Sequence, residues 1–264
     1  MKIVVCMKQV PDTNEVKLDA ITNTLIRESM PSVINHDDKS GIETALVLKE
    51  RFGGTVSVVC MGFPQADEAF REALAMGCDE AYLVSTIEFA GADTWATASI
   101  ISAALRKIGY DLVIIGRQSI DGDAAKVVSQ IAETLGIPQV SYVEEIYDIE
   151  DGNKVIVKRQ FEDRYHIIEV KMPCLLTALS EIAEPRYMHA GGIVDAYEKD
   201  VRLLGYDDLK DQLTSEDIGL KGSPINVFKS FTKQAKGKGT ILKDLGPDEA
   251  VEAIIAKLEE RHII

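Results

Sequence analysis

The residues best placed to do chemistry lie in one glycine-spaced segment, Gly116-Arg117-Gln118-Ser119-Ile120-Asp121-Gly122-Asp123-Ala124-Ala125-Lys126. It leaves the apolar run LVIIG (112–116) and leads into a helical pattern over 123–135. Gly116 and Gly122 allow a backbone to approach a ligand closely. Amides over 122–126, at the start of a helix, lack partners inside that helix and suit a phosphate. Arg117 and Lys126 add positive charge, and Gln118 and Ser119 add neutral polar groups. Asp121 and Asp123 argue the other way, because carboxylates repel phosphate and are better suited to capping or to a ribose. These mechanics leave a phosphate cradle and a plain capped loop both open.

Other chemistries lack their parts. No G-x-G-x-x-G follows the first strand, and neither a G-x-x-x-x-G-K-[ST] loop nor a G-x-S-x-G elbow occurs. Asn35-His36-Asp37-Asp38 offers one imidazole and two adjacent carboxylates, a pattern that suits capping of the helix near residue 39 better than metal ligation. The other histidines, at 166, 189 and 262, have no i,i+4 partner. Cys6, Cys60, Cys78 and Cys174 form no C-x-x-C pair and read as buried thiols. The expectation is a binding site without a metal and without a catalytic acid, base or nucleophile.

The elements that would position such a site alternate regularly. Runs at 3–7, 56–61, 81–85 and 112–116 are apolar on both faces, as strands of a helix-covered parallel sheet must be. Helical patterns lie between them at 39–52, 66–76, 93–109 and 123–135, the first with Ser40 and Glu43 at capping-box spacing. This is an α/β fold, a doubly wound, mostly parallel sheet. Ligands in such sheets bind beyond the carboxyl ends of the strands. That rule selects Cys6-Met7-Lys8, Met61-Gly62, the stretch after Val84 and the 116–126 loop, with SVINHDD (32–38) beside them. A hairpin around Asp151-Gly152 then extends the same sheet over 140–180.

Beyond Pro185 the pattern loosens, and Gly191-Gly192 reads as a break. Lysines at 229, 233, 236, 238 and 243 form a basic run, and Gly246-Pro247-Asp248 caps a helix carrying Ala250, Val251, Ile254, Ile255 and Leu258 on one face. An extended arm and helix that lie on another subunit are expected. The domain reading is 1–185 for a nucleotide-binding α/β domain and 186–264 for a docking loop and arm packing on a partner.

The chain has 264 residues, with 43 acids against 29 bases and a formal charge of −14. That sign excludes attraction to nucleic acid or anionic membranes through the net field, so any phosphate site must be local. No apolar run reaches the length of a membrane span, and only IVVCM separates Lys2 from Lys8, too little for a signal peptide. A cytoplasmic protein that binds neither membrane nor nucleic acid is expected.

VVCMKQVPDT at the start, INHDDKSGIETAL, EALAMGCDEAYL and GRQSIDGDAAKV together resemble the beta subunit of electron-transferring flavoprotein. VKRQFEDRYHIIEVKMPCLLTA (157–178) and EPRYMHAGGI (184–193) continue that resemblance in order along the chain. It implies an adenine-nucleotide-binding, Rossmann-like domain paired with an FAD-carrying alpha subunit. Simple carriers of this family hold AMP in the beta subunit and take electrons from acyl-CoA dehydrogenases. Bifurcating members hold a second FAD there, oxidise NADH, and serve ferredoxin or flavodoxin as well as an acyl-CoA dehydrogenase. Carried over by position, the nucleotide site is Cys6, Met7, Lys8, Asn35, His36, Asp37, Asp38, Met61, Gly62 and the run Gly116, Arg117, Gln118, Ser119, Ile120, Asp121, Gly122, Asp123, Ala124, Ala125, Lys126, Val127. AMP-binding members show a loop like D-D-D-C-N-Q-T where this chain reads Asp121-Gly122-Asp123-Ala124-Ala125-Lys126-Val127, with small residues and a lysine that suit a diphosphate. The resemblance therefore implies FAD, with AMP the alternative. Ala190 stands where simple carriers use a docking leucine, so contact with the dehydrogenase passes to Met188, Ile193 and Val194 around it.

Overall fold

In a computed structural model the apolar runs become adjacent strands of one nine-stranded sheet. The structure describes residues 1–12, 32–122, 124–150, 152–225, 237, 239, 241–243 and 245–264. Two compact units divide at Phe228/Lys229. The first contains, in chain order, β1 (Lys2–Cys6), β2 (Gln9–Pro11), β3 (Ser32–Ile34), α1 (His36–Phe52), β4 (Thr55–Met61), α2 (Asp67–Met76), β5 (Glu80–Val84), α3 (Thr94–Ile108), β6 (Leu112–Gly116) and α4 (Val127–Leu135). It continues with β7 (Gln139–Glu150), β8 (Lys154–Gln160), β9 (Tyr165–Lys171), β10 (Cys174–Ala178), α5 (Ala190–Glu198), β11 (Val201–Leu204) and α6 (Tyr206–Leu209).

The strand order is β11-β5-β4-β1-β6-β10-β7-β8-β9. The first seven run parallel, and β8 and β9 pair antiparallel at one edge. The 140–180 hairpin thus extends the same sheet. Alternate residues of each strand face opposite sides, so both faces need cover. Ile3, Val5 and Val58 pack with Ile42 and Leu46 of α1 and Phe70 and Leu74 of α2. Val4, Val113 and Leu175 pack on the other side with Ile100 and Leu105 of α3 and Ile131 of α4. Each such fully buried aliphatic or phenyl side chain contributes about 1.5–3 kcal/mol of transfer free energy. The doubly wound α/β architecture follows from these two apolar layers.

Several local readings change. Ser40 and Glu43 are not a capping box: α1 starts earlier, at His36. Ser40 Oγ donates instead to Ser180 O at 3.1 Å, and Glu43 pairs with Arg186 at 2.8 Å. α4 begins at Val127, so the amides of Gly122 and of Ala124 to Lys126 lie ahead of the helix. Asp123, read as its cap, lies outside the described residues. Gly191 and Gly192 do not break the chain but occupy the first turn of α5. A Cβ on Gly192 would lie 2.6 Å from Ala75 O, so only glycine lets α5 seat on α2. β11, edge-paired with β5, escaped the sequence reading because only Leu204 of its four residues is buried.

In the second unit, α7 (Pro247–Glu260) begins as expected, with proline in its first turn and Glu249 Oε2 accepting from Gly246 N at 3.0 Å. Its Val251, Ile254 and Ile255 are exposed. Of the basic run, Lys229, Lys233, Lys236 and Lys238 lie outside the described residues. Among the described residues no helix is long and apolar enough to cross a membrane.

Candidate functional site

β1 pairs with β4 on one side and β6 on the other, so the strand order reverses at β1. The chain leaving β1 turns to the α1 face of the sheet, and the chain leaving β6 turns to the α4 face. The carboxyl ends of two neighbouring strands therefore open a crevice, the place where such sheets take ligands. Three of the segments read from sequence meet there: Cys6 to Lys8, Asn35 to Asp38, and Gly116 to Gly122.

Hydrogen bonds hold them together. Asp38 Oδ2 accepts from Lys8 N, and Asp38 Oδ1 accepts from Gly116 N, each at 2.8 Å. Asn35 N donates to Lys8 O at 2.9 Å. Asn35 Nδ2 donates to Gln118 O at 3.0 Å, and its Oδ1 accepts from Ile120 N at 3.2 Å. Asn35 occupies the N-cap position of α1 yet makes no side-chain bond to that helix's amides. The capping role expected for this segment is thus replaced by cross-loop bonding. Gly116 has no space for a side chain: a Cβ would lie 2.3 Å from Asp38 Oδ1 and 2.8 Å from Asp38 N.

The charges are arranged around Lys8. Its ammonium donates to Asp121 Oδ1 at 2.6 Å and to Ser119 Oγ at 3.2 Å. A Cβ on Gly122 would meet only Ser119 Oγ at 3.7 Å and Lys8 Nζ at 3.9 Å, so the loop passes directly over this pair. Arg117 Nε lies 3.6 Å from Asp37 Oδ2. Burial pushes the Asp38 carboxyl up to about 7, against the lowering effect of the Lys8 and Gly116 amides. Burial likewise raises Asp37, with Arg117 opposing it. Cys6 and Met7 are buried, and burial drives the Cys6 thiol far above its usual range, so it stays neutral.

The remaining sequence-derived residues flank this centre. Met61 ends β4, the other neighbour of β1, and Gly62 follows it; both are half-buried, with Gly62 N donating to Val84 O. Ala124, Ala125 and Lys126 are exposed on the run into α4, and Val127 opens that helix. His36 is exposed while Asp37 and Asp38 are buried, so the three do not converge as metal ligands would. An ammonium, a hydroxyl and exposed main chain beside an accessible loop are a donor set that fits a phosphate-bearing ligand. Asp121 already partly neutralises Lys8, so a phosphate must compete for that cation.

A second surface lies on α5. Met188, Ala190, Ile193 and Val194 are all exposed, as are Tyr187 and Tyr197, two aromatic neighbours that the sequence reading passed over. Behind this face, Arg186 bonds Glu43 and Glu50, and Arg71 Nη1 donates to Ala196 O and Lys199 O at 2.6 Å. Arg186 beside an exposed apolar stretch was the available signal, since its carboxylate partners Glu43 and Glu50 are distant in sequence.

Comparison with known proteins fits this geometry. The Electron transfer flavoprotein domain family matches residues 22–203. The Caffeyl-CoA reductase-Etf complex subunit CarD of Acetobacterium woodii is 52% identical, with all of both chains covered. The Electron transfer flavoprotein subunit beta of Clostridium acetobutylicum is 50% identical, again over all of both chains. The Acryloyl-CoA reductase electron transfer subunit gamma of Anaerotignum propionicum is 48% identical over the same full coverage. A family match over most of the chain and full-length relatives at half identity lead to one conclusion: the chain belongs to the electron transfer flavoprotein family, as a beta-subunit member.

Proposed function

We propose that this beta subunit is of the electron-bifurcating kind and holds FAD in the β1/β6 crevice. The observation that carries the reading is the run from Gly122 to Lys126, whose described members are exposed small residues and a lysine leading into α4 beside Lys8 and Ser119. A diphosphate needs more room and more positive charge than a single phosphate, and this loop offers both. The name of the 52%-identical relative, a subunit of a reductase-Etf complex, supports the same reading. A flavin bound here would supply hydride acceptance and single-electron release. Lys8, Ser119 and Lys126 would bind its phosphates, Asp121 would yield Lys8 to them, and the buried wall of Cys6 and Met7 would keep water from that side. In this reading NADH would be the electron donor, and ferredoxin or flavodoxin and, by way of the alpha subunit, an acyl-CoA dehydrogenase would be the two acceptors. The protein's part is to position and tune the flavin, so no side chain serves as catalytic acid, base or nucleophile.

In this reading the 1–185 region is the nucleotide domain and residues 186–264 make the partner contacts. The α5 face of Met188, Ala190, Ile193 and Val194 meets the dehydrogenase, and the exposed apolar face of α7 packs on the alpha subunit.

The flavin count tests this. Heat-released flavin should approach two per heterodimer, and NADH added anaerobically should bleach the visible spectrum. One flavin with AMP alongside it, and no bleaching by NADH, would establish the simple-carrier alternative instead. Lys126→Glu should weaken retention of the beta-subunit flavin by about tenfold while the alpha flavin stays, because a charge-assisted bond becomes a repulsion. An unchanged count after dialysis would remove Lys126 from the site.

A further inference from the structure

We infer that Asn35 and Asp38 are positioning residues whose side chains clamp the loops leaving β1 and β6 at the spacing the nucleotide requires. The inference rests on the nucleotide reading above and names what holds that site open.

β1 and β6 are hydrogen-bonded neighbours, Cys6 opposite Ile115, up to the ends from which their loops depart to opposite faces. Nothing in the sheet itself fixes how far those loops splay. One turn of α1 does. Asp38 spends one carboxylate oxygen on Lys8 N and the other on Gly116 N. Asn35 spends its amide N–H on Gln118 O and its carbonyl oxygen on Ile120 N, while its own main-chain N holds Lys8 O. Every polar atom of the two side chains has a protein partner, and the residues are 1% and 4% exposed. Both are therefore poorly placed to meet a ligand that must enter from solvent.

Two features separate a clamp from ordinary helix capping. Asn35 stands at the N-cap position, where its side chain would normally satisfy the helix's own amides, and instead reaches across to the β6 loop. Gly116 sits against Asp38 with no space for a Cβ, so the loop is held in direct contact with the α1 turn.

The experiment titrates the full chain calorimetrically with FAD and, separately, with AMP, well below the melting temperature. Asp38→Asn replaces one acceptor by an N–H2 group that faces an amide donor. Asn35→Asp keeps a good N-cap residue but sets a carboxylate oxygen against Gln118 O, so this variant carries the test if the first does not fold. Both should keep the wild-type circular dichroism and a cooperative melt, yet bind FAD about tenfold or more weakly, because loop spacing is lost while the fold remains. The pH profile adds a readout that a purely structural role would not move. The groups facing Asp38 are Lys8, Asp37 with Arg117 behind it, and the thiols of Cys6 and Cys60, which burial keeps neutral. With its carboxyl pushed up to about 7, Asp38 takes a proton as the pH falls through neutrality and loses an acceptor. Wild-type affinity for FAD should therefore decline toward that of Asp38→Asn below pH 7, where the variant's profile stays flat. A folded variant that binds FAD within about twofold of wild type, or an identical pH profile in Asp38→Asn, overturns the clamp. A wild-type chain that binds neither FAD nor AMP removes the nucleotide reading, and the clamp with it.

Discussion

Gly116→Val is expected to leave a folded chain that no longer retains its nucleotide. The first atom of the new side chain would fall 2.3 Å from Asp38 Oδ1 and 2.8 Å from both Asp37 Cβ and Asp38 N. Rotating Asp38 aside relieves only the first of these contacts, because Asp38 N is backbone. The first turn of α1 must therefore retreat from the end of β6. Overpacking of this kind costs about 1–3 kcal/mol, and the hydrogen bond from Gly116 N to the Asp38 carboxyl is lost as well. A total near 3 kcal/mol corresponds to about a hundredfold loss of affinity and a melting temperature lower by about 5–10 °C. Gly109→Ala is the matched control. Gly109, unlike Gly116, adopts a positive φ, +76°, at the C-terminus of α3, and a Cβ there meets nothing within 4 Å. It should lose about 1 kcal/mol to backbone strain and keep its nucleotide. Flavin and AMP assayed after gel filtration decide the matter: wild-type nucleotide content in Gly116→Val would remove the β1/β6 crevice as the site.

The contrast between these glycines shows what sequence reading can and cannot reach. The four central strands were legible because β-branched runs that are apolar on both faces have few alternatives to a buried parallel strand. The loops at 6–8 and 116–126 were legible because the strand-end rule needs only strand positions. The clamp was not. Asn35 and Asp38 carry the residue types of a helix cap, and the partners of their side chains in the two loops lie 30 to 85 residues away. α5 was misread for a related reason. Gly191-Gly192 has poor helix propensity, and only contact with α2 reveals why glycine belongs there. Both failures are of one kind: a local signal was overridden by a contact between distant segments. The full set of candidate site residues came from family resemblance, and the structure adds which of them hydrogen-bond the loops leaving β1 and β6 to one another.

Gly192→Val should separate partner docking from nucleotide binding. The α5 face carries exposed Ile193, Val194 and Tyr197, and its back is held by three independent attachments. Arg71 reaches the carbonyls of Ala196 and Lys199, Lys199 Nζ donates to Cys78 O at 2.7 Å, and Arg186 pairs with the buried Glu43. Gly192 is the point where the helix backbone itself touches α2. A valine there would collide with Ala75 O, which cannot rotate away, so α5 must lift while its flanking attachments hold. The expected cost is about 2 kcal/mol of stability, with a melting temperature lower by about 4–8 °C. The nucleotide crevice, built by other elements, should keep its ligand. In the proposed docking on an acyl-CoA dehydrogenase, electron transfer should then require about tenfold more partner for half-maximal rate. Val194→Asp, placed on the exposed side of the same helix, should raise that requirement similarly without lowering stability, since its side chain is 62% exposed. The pair of variants distinguishes a displaced helix from a spoiled surface. If both leave the partner concentration dependence unchanged, α5 is not the face that meets the dehydrogenase.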